Sequence, residues 1–208
     1  MEAVTRPDYG PRDILPLMQG MTAASDEELL GRYASGEVSA FEQLYRRHEL
    51  RVFRYLLRNL RNYALAEEAL QETWFAVARE AARYQPTARF TTWLFTIAHH
   101  RVIDALRAMR PTVEWEAAEQ ETQQALAIGG GGSVAGPYAA ALASEQLAAL
   151  LQALAALPEE QRQAFLLQQE GELSVEDIAA VCGCSFETAK SRLRYARSKL
   201  RELLQDLS

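Results

Sequence analysis

Basic side chains are concentrated near the carboxyl end of this 208-residue chain. The segment from Phe186 to Arg201 carries six of them and a single acidic residue, Glu187. The six are Lys190, Arg192, Arg194, Arg197, Lys199 and Arg201. Four of them recur at intervals of four, three and four residues, which places them on one side of a helix. Such a local excess of positive charge attracts phosphate even on an acidic protein.

The residues around this segment predict a helix-turn-helix. Ser174 precedes a short apolar helix, Gly183 suits a left-handed turn, and Ser185 opens a long helix through Leu204. In this motif the start of the second helix meets base edges, and the cations further along meet phosphates. An ordinary amphipathic helix with solvated charges is the alternative. The candidate DNA contacts are Ser185, Glu187, Thr188, Lys190, Ser191, Arg192, Arg194, Tyr195, Arg197 and Lys199.

A second segment, RFTTWLFTIAHHRVID, mixes aromatic and basic residues from Arg89 to Asp104. Aromatic rings stack on unpaired bases, while Arg and His reach the neighbouring phosphates. The alternative is that its apolar residues, including Trp93 and Ile97, belong to the core. The candidate contacts to unpaired bases are Arg89, Phe90, Trp93, His99, His100, Arg101 and Asp104.

A third segment, AEEALQETW, is acidic. Its side chains Glu67, Glu68, Gln71 and Glu72 fall within little more than one helical turn. They suit a basic partner helix, although a solvated helix face would show the same composition.

Helix signals position all three segments, and no convincing alternating strand is present, so the predicted fold is all-α. Capping boxes at Ser25–Glu28 and Ser39–Glu42 predict helices that begin near residues 26 and 40. Asn62 can cap a third helix to about residue 84, and Thr91–Thr92 can begin a fourth that ends before Pro111.

Composition shifts divide the chain into two small helical domains. Residues 1–24, with three prolines, are expected to be a disordered extension, and Met21 could be a later start site. Residues 25–110 form the first domain. Residues 111–143 contain four consecutive glycines and no basic residue, and are predicted to be a flexible acidic linker. Residues 144–208 form the second domain, in which Pro158 begins one helix and Gly171 follows its end.

Several function classes are excluded. The net charge is −6, hydrophobic residues are 49% and charged residues 24%, typical of a globular protein. The absence of a long apolar stretch or secretory signal predicts a cytoplasmic protein without membrane insertion. Cys182 and Cys184 are one residue apart, a poor spacing for a disulfide or a zinc knuckle. Packing in the turn is expected of them, with a redox or metal pair as the alternative. No phosphate loop, Glu-x-x-His pair or nucleophile motif is present, so neither an enzyme nor a cofactor or metal site is predicted.

In order and spacing, the three segments resemble the extracytoplasmic function (ECF, group 4) sigma factors of bacterial RNA polymerase, in the sigma-70 family. The resemblance covers residues 25–110 and 144–206. The family pattern A-E-D-x-x-Q-E is matched at Ala66, Glu67, Glu68, Gln71 and Glu72, with Glu68 replacing Asp. W-L-x-x-I-A-x-N-x-x-x-D is matched at Trp93, Leu94, Ile97, Ala98 and Asp104, with His100 replacing Asn. L-P-x-x-x-R-x-x-F and T-x-K-S-R-L-x-x-A-R-x-x-L are matched from Leu157 to Phe165 and from Thr188 to Leu200.

The resemblance implies a specificity subunit that binds core RNA polymerase and promoter DNA. The acidic segment would dock on the β′ clamp helices, and the polymerase contacts would include the β flap. The Arg89–Asp104 segment would read and open the −10 element, with His100 altering base preference and residues 84–92 capturing bases. The C-terminal helix would read the −35 element. The linker residues Glu114, Glu116, Glu119 and Glu121 would lie in the RNA exit path and mimic nascent RNA, with a passive spacer as the alternative. An anti-sigma factor would be a further partner.

Three alternatives to this interpretation lead to different expectations. A helix-turn-helix regulator that acts without polymerase would form stable dimers and bind an operator alone. An adaptor that binds only protein would not need the cationic helix. An enzyme would need a catalytic motif, and adjacent His99 and His100 point to different helix faces.

Overall fold

The computed structural model describes residues 24–109 and 137–205, and within these ranges all the regular structure is helical. The first half contains α1 (Asp26–Ala34), α2 (Val38–Leu60), α3 (Tyr63–Glu80), a 3-10 turn (Ala81–Arg83) and α4 (Phe90–Met109). The second half contains α5 (Pro137–Ala155), α6 (Glu159–Gly171), α7 (Val175–Val181) and α8 (Phe186–Leu204). The prediction of an all-α fold is confirmed.

The two predicted capping boxes of the first half have different outcomes. At the start of α1, the Ser25 hydroxyl accepts the Glu28 N–H at 3.1 Å and the Glu28 carboxylate accepts the Ser25 N–H at 2.8 Å. The second box is wrong, because α2 begins at Val38 with Glu37 as its N-cap. Arg32 donates to the Glu37 carboxylate at 2.8 Å, and Ser39 donates to it at 3.0 Å. Ser39 therefore lies inside the first turn.

Long-range capping sets the start of α4. Asn62 caps α3 as predicted, accepting the Leu65 N–H at 3.0 Å. The fourth helix begins at Phe90, before the predicted Thr91–Thr92 start, because Glu27 of α1 accepts the Phe90 N–H at 2.8 Å. A donor that would otherwise be unsatisfied at a helix end is thus paired across the bundle.

The second half differs from the prediction at three helix ends. Helix α5 begins at Pro137, inside the predicted linker, while residues 110–136 and the predicted extension up to residue 23 lie outside the described residues. Pro158 is the N-cap of α6, not its first residue. Gly171 is the last residue of α6, and Glu172 takes the left-handed conformation with φ +52°.

The helix-turn-helix has the predicted geometry. Ser174 caps α7 in a box with Asp177, and Gly183 adopts φ +60° in the turn. The Ser185 hydroxyl caps α8 by accepting the Thr188 N–H at 3.1 Å. The half-buried Cys182 packs against the core, and burial raises the pKa of its thiol to about 11. An unreactive thiol is consistent with the packing role expected for this turn.

A continuous apolar core joins the two halves. Tyr55 of α2 and Phe95 of α4 are fully buried and meet edge to face, with ring centroids 5.5 Å apart. Leu166 and Leu167 of α6 and Leu193 of α8 belong to the same core. None of the helices in the described ranges combines the length and apolar content that a membrane span requires.

Candidate nucleic-acid and protein interfaces

Helix α8 separates an apolar face from a cationic one. Its buried residues are Ala189, Leu193, Ala196 and Leu200, at the spacing of a single helix face. The candidate DNA contacts lie outside this stripe, and seven of the ten are exposed. Those seven are Ser185, Glu187, Thr188, Lys190, Arg194, Tyr195 and Arg197, while Ser191, Arg192 and Lys199 are half-buried.

Two of the cations on α8 are oriented by α6. The Arg192 guanidinium donates to the Glu160 carboxylate at 2.6 Å, and Arg197 donates to the Gln168 side-chain oxygen at 2.6 Å. Arg194 lies over the Tyr195 ring, 4.9 Å from its centroid. Because these contacts restrict long side chains, they reduce the entropy lost when the side chains bind a ligand.

A groove of about 510 Å³ runs between α3 and α4. Four of the seven predicted contacts to unpaired bases line it: Trp93, His100, Arg101 and Asp104. The remaining lining residues, which were not among the predicted base contacts, are Ala76, Arg79, Glu80, Ile97, Ile103 and Arg107. The groove thus combines an aromatic face with arginines from two helices, which suits a base and its phosphate.

The other three predicted contacts do not line this groove. Phe90 is fully buried, and its ring packs against His48 with centroids 5.4 Å apart. His99 is 5% exposed, with its Nδ1 2.8 Å from the Tyr55 hydroxyl. Burial, aided by the charges of His100 and Arg192, lowers the pKa of His99 to about 4. Phe90 and His99 are therefore core residues in this structure, while Arg89 is exposed on the preceding loop.

Charge pairs connect the groove with the acidic face of α3. Arg101 lies 3.5 Å from the Glu72 carboxylate and 3.9 Å from that of Asp104. Asp104 also lies 3.7 Å from Arg107. These pairs are largely exposed and contribute little stability, so their arginines can exchange a carboxylate for a phosphate at small cost.

The acidic face of α3 includes an aromatic residue that sequence reasoning missed. Glu67, Glu68, Gln71 and Glu72 are all exposed, as predicted, and Phe75 on the same face is 72% exposed. Phe75 lies four residues after Gln71 and three after Glu72, out of phase with the buried positions of α3. This break in the apolar period was the available signal.

Within the described ranges, no group of three or more His, Cys, Asp and Glu side chains is arranged to hold a metal ion. The surfaces of interest are therefore a cationic helix, a mixed groove and an acidic face with an exposed aromatic residue at its end.

Comparisons with known families match both halves. The sigma-70 region 2 family matches residues 44–112, and the sigma-70 region 4 family matches residues 147–200. The first match includes most of α2 and all of α3 and α4, and the second ends within α8. The prediction of two helical domains is thereby confirmed.

Curated relatives align along most of the chain. RNA polymerase sigma factor CarQ of Myxococcus xanthus is 38% identical over 85% of this chain and 95% of its own length. ECF RNA polymerase sigma factor SigM of Mycobacterium tuberculosis is 30% identical, over 89% and 87% respectively. RNA polymerase sigma-H factor of Pseudomonas aeruginosa is 30% identical, over 90% and 97%.

Two solved structures share the fold. CnrH, in complex with the cytosolic domain of CnrY, has a TM-score of 0.62 and 24% identity, covering 89% of this chain and 100% of its own. Sigma factor RpoE of Bartonella quintana, in complex with the anti-sigma factor NepR, has a TM-score of 0.59 and 26% identity, covering 79% and 96%. The family matches and the relatives together show that this chain belongs to the ECF sigma factors of the sigma-70 family, which are non-enzymatic initiation factors of RNA polymerase.

Proposed function

We propose that this sigma factor binds core RNA polymerase, reads the −35 element with α8, and reads and opens the −10 element with the groove between α3 and α4. The observation that carries the proposal is the presence on one chain of two chemically different surfaces, each of which suits a different form of nucleic acid. The face of α8 is cationic and suits duplex DNA. The groove joins Trp93 to several arginines and suits unpaired bases.

At the −35 element, the first turns of α8 would enter the major groove. The exposed Glu187 and Thr188, together with Arg192, would meet base edges. Lys190, Arg194 and Arg197, with the half-buried Lys199, would contact phosphates and set the register. On binding DNA, Arg192 would either replace its hydrogen bond to Glu160 with one to a base, or contact Glu160 and the base together.

At the −10 element, stacking in the groove would offset the cost of strand opening. Base stacking is worth about 1.4 kcal/mol per base-pair step, so an opened strand closes again unless its bases are captured. A base stacked on an aromatic ring recovers about 1–3 kcal/mol, which matches this cost. Trp93 supplies such a ring, and His100, Arg101 and Arg107 lie beside it. Arg89 would meet the strand at the loop of residues 84–89, since residues 90–92 of the predicted capture loop lie in α4.

The acidic face of α3 would dock on core polymerase, at its clamp helices, through Glu67, Glu68, Gln71 and Glu72. The exposed Phe75 supports a protein partner here, because aromatic residues are enriched at the centres of interfaces. The second domain would contact the β flap. Because the RpoE structure that this chain resembles contains an anti-sigma factor, we include an anti-sigma factor among the partners.

Transcription with purified components tests the proposal. The chain plus core polymerase is expected to give transcripts from a specific promoter, while the chain alone binds the same DNA weakly. Stable dimers that bind one DNA sequence tightly without polymerase would instead favour an independent helix-turn-helix regulator. Failure to co-purify with core polymerase would refute the proposal.

A further inference from the structure

A large aromatic side chain stands exposed at the start of α8. Phe186 is the first residue of this helix, and 40% of its surface is exposed. It lies three residues before Ala189 and seven before Leu193, in phase with the buried stripe of α8. Ala189 and Leu193 are 0% and 3% exposed. Phe186 therefore continues the apolar stripe of α8 beyond the core and into solvent.

A cation lies over the exposed ring. The Nζ atom of Lys190 is 5.8 Å from the centroid of the Phe186 ring and 3.9 Å from the Glu187 carboxylate. A cation within about 6 Å of a ring centroid is attracted by the negative face of the ring. Residues four apart are neighbours on a helix surface, which allows this contact within α8. The ring is thus held beside the cationic face of the helix, where the proposed phosphate contacts lie.

The hydroxyl groups of the first turn are already engaged with each other. Ser185 Oγ accepts the Thr188 N–H at 3.1 Å, and the two side-chain oxygens lie 2.8 Å apart. The exposed Glu187 carboxylate can only accept hydrogen bonds. The Phe186 ring, in contrast, offers an apolar surface with no conventional donor or acceptor. Phe186 therefore cannot recognise the polar atoms of a base edge.

Base edges differ in whether they offer an apolar group. In the major groove, guanine and adenine present acceptors, cytosine and adenine present amino groups, and only thymine presents a methyl group. An aromatic ring is stabilised by covering that methyl group, whereas a polar base edge under the same ring would lose its hydrogen bonds to water. The first residues of the second helix in a helix-turn-helix meet base edges. Phe186 lies at this position and suits thymine alone.

We propose that Phe186 is a specificity-determining residue of this sigma factor, which reads the 5-methyl group of a thymine in the −35 element. This inference rests on the proposed function, because it requires α8 to lie in the major groove of that element. It adds one apolar contact to the hydrogen bonds and phosphate contacts proposed for the polar residues of α8. At the base pair that faces Phe186, thymine is therefore preferred over the other three bases and over uracil.

The exposed area of the ring sets the size of the effect. A phenylalanine offers about 200 Å² for burial, so the exposed 40% of Phe186 corresponds to about 80 Å². Covering half of that area would lower the Kd for DNA about fivefold. Removing one buried methyl group from the DNA would raise the Kd about fourfold. The two effects are similar in size because they concern the two sides of one contact.

Binding of promoter duplexes by the holoenzyme tests the contact. A promoter is first enriched from randomised duplexes with the wild-type chain and core polymerase. Each thymine of its −35 element is then replaced singly by deoxyuridine, which lacks only the 5-methyl group. At one thymine, the wild-type holoenzyme is expected to bind the uracil duplex about fourfold more weakly. The Phe186→Ala holoenzyme is expected to bind both duplexes equally, about fivefold more weakly than the wild type binds the thymine duplex.

Two further variants make the test specific. Leu203 is 38% exposed in the last turn of the same helix, so Leu203→Ala removes a comparable apolar surface and should keep the full dependence on the methyl group. Circular dichroism checks that each variant keeps its helix content. If Phe186→Ala does not fold, Phe186→Gln replaces the ring with a polar side chain suited to an exposed first turn. It should also lose the dependence on the methyl group.

The outcomes separate this contact from the proposed function. If no thymine of the −35 element shows a dependence on its methyl group, or if a folded Phe186 variant retains that dependence, the inference is overturned while the proposed function stands. If Phe186→Ala instead weakens binding to core polymerase and keeps the dependence, Phe186 is a protein contact and the inference is again overturned. If the wild-type holoenzyme enriches no promoter, the proposed function fails and the thymine contact fails with it.

Discussion

Truncating Phe75 provides the sharpest test of the polymerase-docking face. About 72% of this residue is exposed, so its ring contributes little to the core. A phenylalanine offers about 200 Å² for burial, of which some 70% remains available on α3. At about 25 cal/mol per Å², complete coverage by a partner would contribute about 3.5 kcal/mol, and half coverage about 2 kcal/mol. We therefore expect Phe75→Ala to weaken binding to core polymerase about 30-fold.

The assay is a titration of fluorescently labelled chain with core polymerase. Val38→Ala is the matched control, because Val38 is 73% exposed but lies at the start of α2, outside the acidic face of α3. Neither substitution should change the free energy of unfolding by more than about 0.5 kcal/mol, since both side chains are exposed. Equal Kd values for the two variants would show that Phe75 does not anchor the interface.

The remaining predictions concern the two DNA surfaces and the core. Arg192→Ala should cost about 1–3 kcal/mol in binding to the −35 element and relax the base preference there. Lys199→Ala should weaken binding to all DNA sequences alike and reduce the slope of log K against log salt concentration by about 1. Identical effects of the two variants in a holoenzyme binding assay would contradict the assignment of α8 to the DNA major groove. Trp93→Ala should make strand opening at the −10 element less favourable by about 1–3 kcal/mol, without changing binding to the −35 duplex. Permanganate reactivity of unpaired thymines measures the opening, and normal opening would count against the stacking role of Trp93. The pKa of His99 is lowered to about 4 in the folded chain. Between about pH 4 and pH 6.5 the unfolded chain therefore binds more protons than the folded chain, and the free energy of unfolding should fall as the pH drops through that range. The loss amounts to about 3 kcal/mol. Denaturant titrations should show that His99→Gln loses this pH dependence, while His100→Asn retains most of it, because burial is a larger cause of the lowered pKa of His99 than the charge of the exposed His100. Equal pH profiles for wild type and His99→Gln would contradict this reasoning.

Local chemistry made several features predictable from sequence. Three predicted helix caps are present, at Ser25, Asn62 and Ser185. They were predictable because a short polar side chain accepts a hydrogen bond from an amide only two or three residues away. The same local rule failed at Ser39. There, Glu37 is held by Arg32 of the preceding helix and the next helix begins earlier.

The sequence predicted which residue types make up the functional surfaces, but not which individual residues lie on them. The pattern from residue 89 to 104 correctly combines aromatic and basic groups, yet two of its seven candidates are core residues. When a helix has apolar residues on several faces, their periodicity does not show which face packs against the other helices. Phe90 and His99 are buried because α2 packs against them, through His48 and Tyr55.

Most of the helices, the helix-turn-helix and the family could be predicted from the residues alone, since they depend on capping, spacing and motif order over short distances. The exposure of Phe75 on the acidic face, and the contacts of Glu170 with three arginines more than a hundred residues away, follow from the packing of the folded chain. Burial and ion pairing across a core depend on how distant helices pack. No local pattern specifies that packing, because the same helix can present its charges to water or to another helix.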